Sequence, residues 1–377
     1  MSSPPPVLSS PSAAASLLRF FRGLNSLLVF IPLSIGLHYS AFGHHYPLWV
    51  FASAALAIVP LAGLMGQATE ELAKHLGATW GGLLNATFGN ATELIIGLFA
   101  LAAGEVPLVQ ASLIGSIIGN VLLVMGASIL AGGLKHKIQT FNQDLAESQA
   151  INLLVAALSL SVPAIFASSF HHTRSASNPD IQHFSLWVAG ILLLVYVASL
   201  WFSLHTHEAI FRSYQQPDDC EPPTWKKRTA FLVLGIATVL VAVESEFLVS
   251  SVEGAARSLG VNSVFIGIVI VAIIGNAAEH STAVWMALRN KMDITIAIAI
   301  GSSTQIALFV APVLVFASLL LHHPMSFIFS VPELTAVGFS VVIATFIAGD
   351  GKSHWLEGAQ LLAAYAIIAL AFFFLPP

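Results

Sequence analysis

Two short polar motifs, each inside a long apolar run, carry the side chains of this chain that could do chemistry. Residues 89–93 read Gly-Asn-Ala-Thr-Glu and residues 275–279 read Gly-Asn-Ala-Ala-Glu. A carboxylate at membrane depth is costly and marks an ion or proton pathway. The matched carboxylates Glu93 and Glu279 therefore indicate a site that moves a cation or protons.

The spacing within each motif puts its polar side chains on one face of a helix. Asn and Glu lie three residues apart in both motifs, so each pair directs amide and carboxylate oxygens the same way. The leading glycines, Gly89 and Gly275, permit a close helix crossing or a local break that frees backbone carbonyls. Neighbouring apolar runs add hydroxyl and amide oxygens. The predicted metal ligands are Glu93, Glu279, Asn90, Asn276, Gly89, Gly275, Gln305, Ser302, Asn120 and Ser116.

Two carboxylates with neutral oxygens suit calcium, which takes roughly 6–8 oxygen ligands, better than magnesium, which demands a tight octahedron. Manganese stays open as an alternative. Glu93 and Glu279 are also the predicted proton carriers. His280 points about 100° away from Glu279 on a helix and is either a proton partner or a packed neutral imidazole. Acidic residues that precede the motifs are predicted to gate the site near the membrane surface: Glu70, Glu71 and Glu246.

Composition defines the class of protein. Of the 377 residues, 56% are hydrophobic and only 9% are charged, whereas about a quarter of the residues of a soluble globular protein are charged. The chain is therefore predicted to be an all-α polytopic membrane protein. The single cysteine, Cys220, excludes an internal disulfide and thiolate-rich metal sites. A pI near 6.2 argues against nucleic acid as a partner.

Apolar runs of about 20 residues predict eleven transmembrane helices. Their predicted bounds are 26–43, 48–66, 80–103, 107–130, 149–170, 184–207, 229–250, 262–288, 294–320, 328–348 and 356–375. With the N-terminus in the cytoplasm, every Lys and Arg except Arg174 and Arg257 falls on the cytoplasmic side, as the positive-inside rule expects. Residues 1–16 are predicted to be disordered and lack the pattern of a simple secretory signal.

The motif glutamates lie five predicted helices apart, and this odd offset makes their helices cross the membrane in opposite directions. The helix after each motif carries Gly-Ser, at residues 115–116 and 301–302. Such matches predict inverted repeats with the ion site at the membrane midplane. The predicted segments are a tail and extra helix at 1–45, a first five-helix repeat at 46–208, a cytoplasmic linker at 209–228 and a second five-helix repeat at 229–377.

The motifs also resemble a known family. Residues 82–95, together with residues 275–280, closely resemble the two signature repeats of the cation/proton exchanger branch of the calcium/cation antiporter superfamily. The likeness covers nearly all of residues 46–377, including the stretches 66–71 and 301–305 that flank the repeats. One departure concerns the linker between the halves. Family members often carry a pronounced acidic helix there, whereas this chain has only Asp218, Asp219 and Glu221 among prolines, which leaves open whether the linker regulates transport.

This resemblance implies proton-driven antiport of calcium by alternating access. It implies that Glu93 and Glu279 are the central calcium and proton ligands, with Asn90 and Asn276 beside them. The first predicted helix then lies outside a ten-helix core. Calcium ions and protons are the expected substrates, the lipid bilayer is the expected environment, and no cofactor is expected. The oligomeric state is left open, with a homo-oligomer compatible with the sequence.

Two alternatives remain at the level of sequence. Sodium-coupled exchange of calcium or manganese would use the same scaffold, but those relatives typically place Pro directly before the repeat Glu, where this chain has Thr92 and Ala278. The remote alternative is an intramembrane enzyme that uses Glu279 and His280. The sequence has no His-Glu-x-x-His motif and no Gly-x-Ser-x-Gly elbow to support it.

Short tails and loops favour a location in a prokaryotic inner membrane. The N-terminus would then be cytoplasmic and the C-terminus outside. In a eukaryote the expected location is the vacuolar membrane.

Overall fold

The structure, a computed structural model, describes residues 25–168, 179–206 and 222–375. The tail at 1–16 that is predicted to be disordered lies outside the described residues. So do most of the linker at 209–228 and its acidic residues Asp218, Asp219 and Glu221.

The described residues form a helical bundle that follows the predicted apolar runs. We number its main helices and half-helices in chain order. They are α1 (Asn25–His38), α2 (Pro47–Leu76), α3a (Ala78–Phe88), α3b (Ala91–Ala102), α4 (Val106–Lys135), α5 (Gln143–Ser168), α6 (Pro179–Thr206), α7 (Lys227–Leu259), α8a (Ser263–Gly275), α8b (Ala277–Leu288), α9 (Met292–Leu320), α10 (Val331–Asp350) and α11 (Trp355–Phe373). A short helical segment, Ala41–His45, joins α1 to α2.

Within the described ranges, eight helices are long and apolar enough to cross a membrane. The count becomes ten when the bent pairs α3a–α3b and α8a–α8b each count as one span. The prediction of an all-α polytopic membrane protein is confirmed. The predicted count of eleven is not, because the described part of α1 corresponds to about 21 Å of helix at 1.5 Å per residue, less than the roughly 30 Å of a bilayer core.

Both motif helices are bent at their asparagine. The axes of α3a and α3b differ by 42°, and those of α8a and α8b differ by 60°. Asn90 (φ −113°, ψ 30°) and Asn276 (φ −93°, ψ 16°) leave helical geometry at these points. Each break therefore splits one span into two half-helices and places the motif glutamate in the first turn of the second half.

Helices α2 and α7 pack together along much of their length. Leu61, Met65 and Leu72 of α2 form a buried apolar cluster with Leu234 and Val241 of α7. Under the predicted inverted repeat α2 and α7 are counterparts, because α2 would open the first repeat and α7 would open the second. The two helices therefore form one body beside the motif helices.

Helix α1 rests against this pair. Its Ser34 hydroxyl lies 2.7 Å from the Glu244 carboxylate of α7, and both side chains are fully buried. Sequence patterns did not identify this contact.

The bundle has two chemically different ends. One end, which we call the basic face, carries Lys74, Lys135, Lys227, Arg289 and Lys352. Loops meet there: Lys135 donates to the carbonyl of Leu288, and the short strands β1 (Gln139–Thr140) and β2 (Lys352–Ser353) pair antiparallel.

The other end, which we call the opposite face, carries Glu105, Arg257 and His323. Its loops also pack on one another. Gln110 at the start of α4 donates to the carbonyls of Ser326 and Ile328 in the segment before α10. The described chain therefore places α3a and α8a at opposite ends of the bundle, as inverted motif helices require.

Large apolar side chains cover the outer surface of the bundle. Examples are Trp187 and Leu194 on α6, Leu232 and Val239 on α7, and Phe346 on α10, each more than 60% exposed. Exposed apolar area of this extent is expected of a surface that faces lipid.

Candidate ion-binding site

The motif glutamates start the second half-helix of each broken span. Glu93 lies in the first turn of α3b and Glu279 in the first turn of α8b. The unpaired backbone N–H groups of a helix N-terminus carry partial positive charge, which favours a negative group there. The N-termini of the two half-helices thus help to stabilise a carboxylate at membrane depth.

The two halves of the chain meet at Glu93. Its side chain packs on the backbone of Gly275, so that a Cβ at Gly275 would lie 3.4 Å from Cγ and 3.5 Å from Oε1 of Glu93. Gly275 lies four residues before Glu279, across the break at Asn276, and the Glu93 and Glu279 carboxyl groups are close enough to interact electrostatically. Among the described residues, Oε1 of Glu93 is buried and has no hydrogen-bond partner. This oxygen is available to a cation or a proton.

Asn90 of the first motif is held by the second half of the chain. The Ser302 hydroxyl of α9 donates to Oδ1 of Asn90 at 2.7 Å. The Asn90 amide donates to Oε1 of Gln305, also in α9, at 2.6 Å. Asn90 is almost fully buried, so these bonds fix its orientation.

Asn276 of the second motif is held by the equivalent side chains of the first half, with the donor and acceptor roles reversed. Its amide donates to the Ser116 hydroxyl of α4 at 2.9 Å. The Asn120 amide, also in α4, donates to Oδ1 of Asn276 at 3.0 Å and to the Ser302 hydroxyl at 3.1 Å. The last bond joins the two clusters. All six neutral polar side chains in the predicted ligand set therefore belong to one hydrogen-bonded chain.

The helices after the two motifs, α4 and α9, match in sequence only with a gap of one residue, and π-helical turns account for this gap. Glu93 and Glu279 are offset by 186 positions, and so are Ser116 and Ser302. Asn120 lies four residues after its serine, whereas Gln305 lies three after its own. Helix α4 has a π turn at Gly119–Val124 and α9 has one at Ile306–Val310. Because Asn120 is inside its π turn and Gln305 precedes its own, the two amides reach equivalent places.

The predicted gating residues lie away from this chain of polar groups. Glu70 is exposed at the basic face and pairs with Lys74 at 3.0 Å. Glu71 is buried, accepts a hydrogen bond from the backbone N–H of Trp225 at 2.8 Å and pairs with Lys74 at 3.1 Å. Glu246 is exposed on α7. Their gating role stays a prediction, and for Glu71 the contacts show an anchor between the end of α2 and the segment before α7.

His280 lies beside the site on α8b. Its Nε2 atom is buried and has no hydrogen-bond partner among the described residues. A buried imidazole nitrogen without a partner fits either predicted role, a proton partner or a packed neutral ring.

Tyr196 is a site neighbour that the sequence reading missed. It is buried in α6, and its hydroxyl donates to the carbonyl of Ala86 in α3a at 2.9 Å. Its ring stacks on Phe309 of α9, with centroids 5.0 Å apart. The only signal in the sequence is a lone phenol within an apolar run, which by itself does not identify a partner.

The chemistry available is that of hard oxygen ligands. In the described ranges no group of three or more His, Cys, Asp or Glu side chains lies close enough together to hold a metal ion. The site instead combines two carboxylates, amide oxygens, hydroxyls and the backbone at two helix breaks. Such a set suits reversible binding of a cation rather than a permanent metal centre.

We expect Gly275→Leu to disrupt the site directly. A Cβ at Gly275 would already be in van der Waals contact with Glu93, and a leucine has three more carbons, so we expect it to displace the Glu93 side chain. Overpacking of this kind usually costs about 1–3 kcal/mol of stability, which a folded protein survives. The expected result is a folded variant with at least about tenfold weaker calcium binding, measured by equilibrium binding of calcium-45 in detergent.

Gly235→Leu on α7 is the matched control. A Cβ at Gly235 meets nothing within 4 Å, and the position is exposed, so binding should stay at the level of the unmodified protein. Unchanged calcium binding by Gly275→Leu would contradict the position of Glu93 in the site.

Two inverted helices that break at polar motifs and share one buried set of polar side chains define an inverted-repeat membrane transporter. A family model described as sodium/calcium exchanger protein matches residues 46–205 and again residues 229–374. The chain belongs to this family, in its cation/proton exchanger branch.

Individual relatives are similar over almost their whole length. The Ca(2+)/H(+) antiporter of Aphanothece halophytica is 44% identical over 368 residues, which cover 93% of this chain and 96% of the relative. The Ca(2+)/H(+) antiporter ChaA of Bacillus subtilis is 44% identical over 354 residues, covering 92% of this chain and 99% of the relative. The solved structure of native YfkE is 41% identical with a TM-score of 0.79, covering 94% of this chain and 100% of that one. Since these relatives are transporters, the intramembrane enzyme is set aside.

Proposed function

We propose that this protein exchanges calcium ions for protons across a membrane by alternating access. The observation that carries the proposal is the contact of Glu93 with Gly275, which brings both motif carboxylates to one buried place between the halves. The named activities of the Aphanothece halophytica and Bacillus subtilis relatives support the same substrates. In this proposal Glu93 and Glu279 bind either one calcium ion or protons, and the neutral polar chain supplies further oxygens.

Charge balance explains why one site can couple the two ions. Two carboxylates carry two negative charges, which one calcium ion or two protons neutralise. An empty, doubly charged site is costly to carry through a low-dielectric interior. The site therefore changes sides most easily when it is occupied by one substrate or the other, and this is the requirement for exchange.

Sodium is the second candidate for the coupling ion. The matching family takes its name from sodium/calcium exchange, and the scaffold alone does not choose between sodium and protons. The motif glutamates follow Thr92 and Ala278 rather than the proline expected of sodium-coupled relatives. We therefore place protons first, with manganese as a further possible transported cation.

The packing of the two motif helices supports alternating access. Half-helix α8a packs tightly on α4: a Cβ at Gly115 would collide with the backbone of Ile268. The counterpart of Gly115 in α9 is Gly301, and a Cβ there meets nothing within 4 Å. Half-helix α3a leans on α6 instead, where Gly82 faces Leu204. The inverted halves thus adopt different arrangements.

We infer that this difference opens a cleft beside α9 towards the basic face. Ile294, Ala297 and Gly301 of α9 are partly exposed, whereas their counterparts Leu108, Ala111 and Gly115 in α4 are buried. On the opposite face the closed arrangement brings Glu105 near Glu253. Burial raises the pKa of Glu105, and the Glu253 carboxylate raises it further. We infer that the site is reached from the basic face in this state, and that exchanging the two arrangements opens the opposite face.

Orientation follows from charge. The basic face collects every described Lys and Arg side chain except Arg257, and cytoplasmic loops of membrane proteins are enriched in these residues. We propose that the basic face is cytoplasmic, with the C-terminus on the other side, in the inner membrane of a prokaryotic cell. The two inverted repeats at 46–208 and 229–377, joined by the linker at 209–228, are part of the same proposal.

The decisive experiment is calcium-45 uptake into proteoliposomes of the pure protein, driven by a pH gradient. Uptake that follows the pH gradient and ignores a sodium gradient is the expected result. Uptake that needs sodium would support the second candidate, and no calcium flux under either gradient would refute the proposal. Competition by excess manganese or magnesium ranks the divalent cations.

We further expect the apparent calcium affinity to fall as the pH falls. Protons and calcium compete for Glu93 and Glu279, and the carboxylates bind calcium only when they are deprotonated. With two protons displaced per calcium ion, the slope of log Kd against pH should approach about −2 at low pH. Equilibrium binding between about pH 5 and 8 measures this slope. A constant Kd over that range would contradict competition at a shared site.

A further inference from the structure

Tyr196 holds the half-helix α3a in its present position. The helix ends at Phe88, so the carbonyl of Ala86 is among the last carbonyls of α3a, which lack an intrahelical partner. The buried Tyr196 hydroxyl satisfies it at 2.9 Å. Stacking on Phe309 fixes the ring that delivers the hydroxyl. Tyr196 therefore acts on the geometry of the motif span without touching its glutamate.

Tyr365 is the counterpart of Tyr196 in the second half of the chain. Tyr196 is in α6 and Tyr365 is in α11, the last helices of the two repeats. Gly126 of α4 packs against Leu361 and Leu362 of α11. Tyr365 is one turn further along α11, so it lies beside residues 122–124 of α4. In the match between α4 and α9, this stretch takes the place of Phe309, the residue on whose ring Tyr196 stacks. The two phenols thus occupy equivalent places.

The two equivalent hydroxyls have different bonding. Tyr365 is buried, and its hydroxyl has no hydrogen-bond partner among the described residues. The carbonyl that corresponds to Ala86 is that of Ala272, and it already accepts from the backbone N–H of Asn276 at 3.2 Å and from the Asn276 side chain at 2.9 Å. A buried hydroxyl without a partner is uncommon and calls for an explanation.

The positions of the half-helices supply that explanation. Half-helix α3a rests on α6, where it contacts Tyr196 and Leu204. Half-helix α8a is packed on α4, where Gly115 and Ala111 receive it. The first turn of α8a already contacts the end of α11, where the rings of Phe265 and Phe373 lie 5.4 Å apart. In the exchanged arrangement the rest of α8a would lean on α11, as α3a now leans on α6, and its Ala272 carbonyl would come to Tyr365.

We infer that Tyr196 and Tyr365 are a reciprocal pair of positioning residues for the two states of the transporter. In the state described here, Tyr196 holds α3a away from α9, and the Tyr365 hydroxyl has no hydrogen-bond partner among the described residues. In the state open to the opposite face, Tyr365 holds α8a away from α4 through the Ala272 carbonyl, and Tyr196 releases Ala86. The inference rests on the proposed alternating access and adds the residues that stabilise each open arrangement.

The test uses cysteine reporters in the full chain, with Cys220→Ser as the background. Ala297→Cys reports the cleft at the basic face, and Ala111→Cys reports its counterpart at the opposite face. Tyr196→Phe should lower the labelling rate at position 297 relative to position 111. Tyr365→Phe should shift the same ratio the other way. Each shift should be roughly two- to tenfold, the effect of one net hydrogen bond.

Phenylalanine keeps the ring packing, and the double variant Tyr196→Phe/Tyr365→Phe is the internal control. Its labelling ratio should return to within about twofold of the parent, which a general loss of packing would not produce. Shifts of the same sign in both single variants, or an unchanged ratio in either, would overturn the inference.

Calcium-45 exchange is measured on the same preparations. If the parent does not exchange calcium for protons while the labelling ratios move as stated, the proposed function fails and the tyrosine pair stands. If exchange is normal and the labelling ratios do not change, the proposed function stands and the tyrosine pair is refuted.

Discussion

Glu93→Gln and Glu279→Gln should each abolish calcium/proton exchange and leave a folded protein. Glutamine keeps the size of the side chain and one acceptor oxygen, but it removes the charge that holds a divalent cation and the group that carries a proton. Removing one partner of a buried pair of opposite charges, here a carboxylate that would face the bound calcium ion, costs roughly 3–5 kcal/mol. We therefore expect calcium affinity to fall by roughly 100- to 5,000-fold, and pH-driven calcium-45 uptake to fall to the level of empty liposomes.

Glu147→Gln is the matched control for these variants. Glu147 is an exposed carboxylate on α5, away from the motif helices, so the same chemical change there should leave exchange at the parental rate. Size-exclusion profiles and thermal unfolding of all three variants show whether they are folded. Full exchange by either site variant, in protein of normal stability, would remove that glutamate from the mechanism.

The helices could be predicted from the sequence because lipid allows few other structures. Every backbone polar group in a bilayer needs an internal partner, so a long apolar run becomes a helix. The predicted helix at 48–66 was too short, however, because α2 continues through polar residues to Leu76. In the same way α7 extends from Lys227 to Leu259 beyond the predicted 229–250. Hydropathy marks the part of a helix that lies in lipid, whereas hydrogen bonding continues it into water.

The neighbours of the motif asparagines could be anticipated for a related reason. Ser116, Asn120, Ser302 and Gln305 are polar side chains within apolar runs, and in a membrane such groups bond to one another. The sequence assigned these groups to the helices that follow each motif and did not indicate that each motif asparagine is held by the opposite half of the chain. Which atom meets which could not be read, since the π turns that rotate Asn120 into place have no clear sequence pattern.

Contacts between distant segments could not be predicted from the sequence. The anchor between Glu71 and the backbone of Trp225 joins the end of α2 to the linker across 154 positions. The bond between Tyr196 and Ala86 spans 110 positions. In both cases one partner is a backbone group, which every residue has, so residue types alone do not reveal the pairing.

The asymmetry between the halves is also invisible in the sequence. Gly115 and Gly301 are matched by motif and spacing, and yet one is packed against Ile268 and the other faces open space. A chain with two nearly equivalent halves can adopt two nearly equivalent arrangements that exchange roles. The sequence encodes both arrangements, and packing at these two glycines distinguishes them.

Gly301→Leu should therefore trap the transporter in the state described here. A leucine at Gly301 fits this state, because a Cβ there meets nothing within 4 Å. In the exchanged state α3a would close on α9, and the leucine would meet backbone as a Cβ at Gly115 now would. Backbone cannot yield as lipid does. We expect equilibrium calcium binding within about twofold of the parent and exchange reduced at least about 100-fold, since a block of the conformational step leaves the site intact.

Gly338→Leu on α10 is the matched control, because this glycine is exposed and a Cβ there also meets nothing within 4 Å. It should exchange calcium normally. Normal calcium binding would show that the Gly301→Leu variant is trapped and that its site is undamaged. Labelling of a cysteine at position 111 distinguishes a trapped transporter from one that only changes state slowly. In the Gly301→Leu background this cysteine should resist labelling at every pH and calcium concentration. Parental exchange by Gly301→Leu would mean that α3a and α9 never approach each other, and the two-state mechanism proposed for this protein would have to be abandoned.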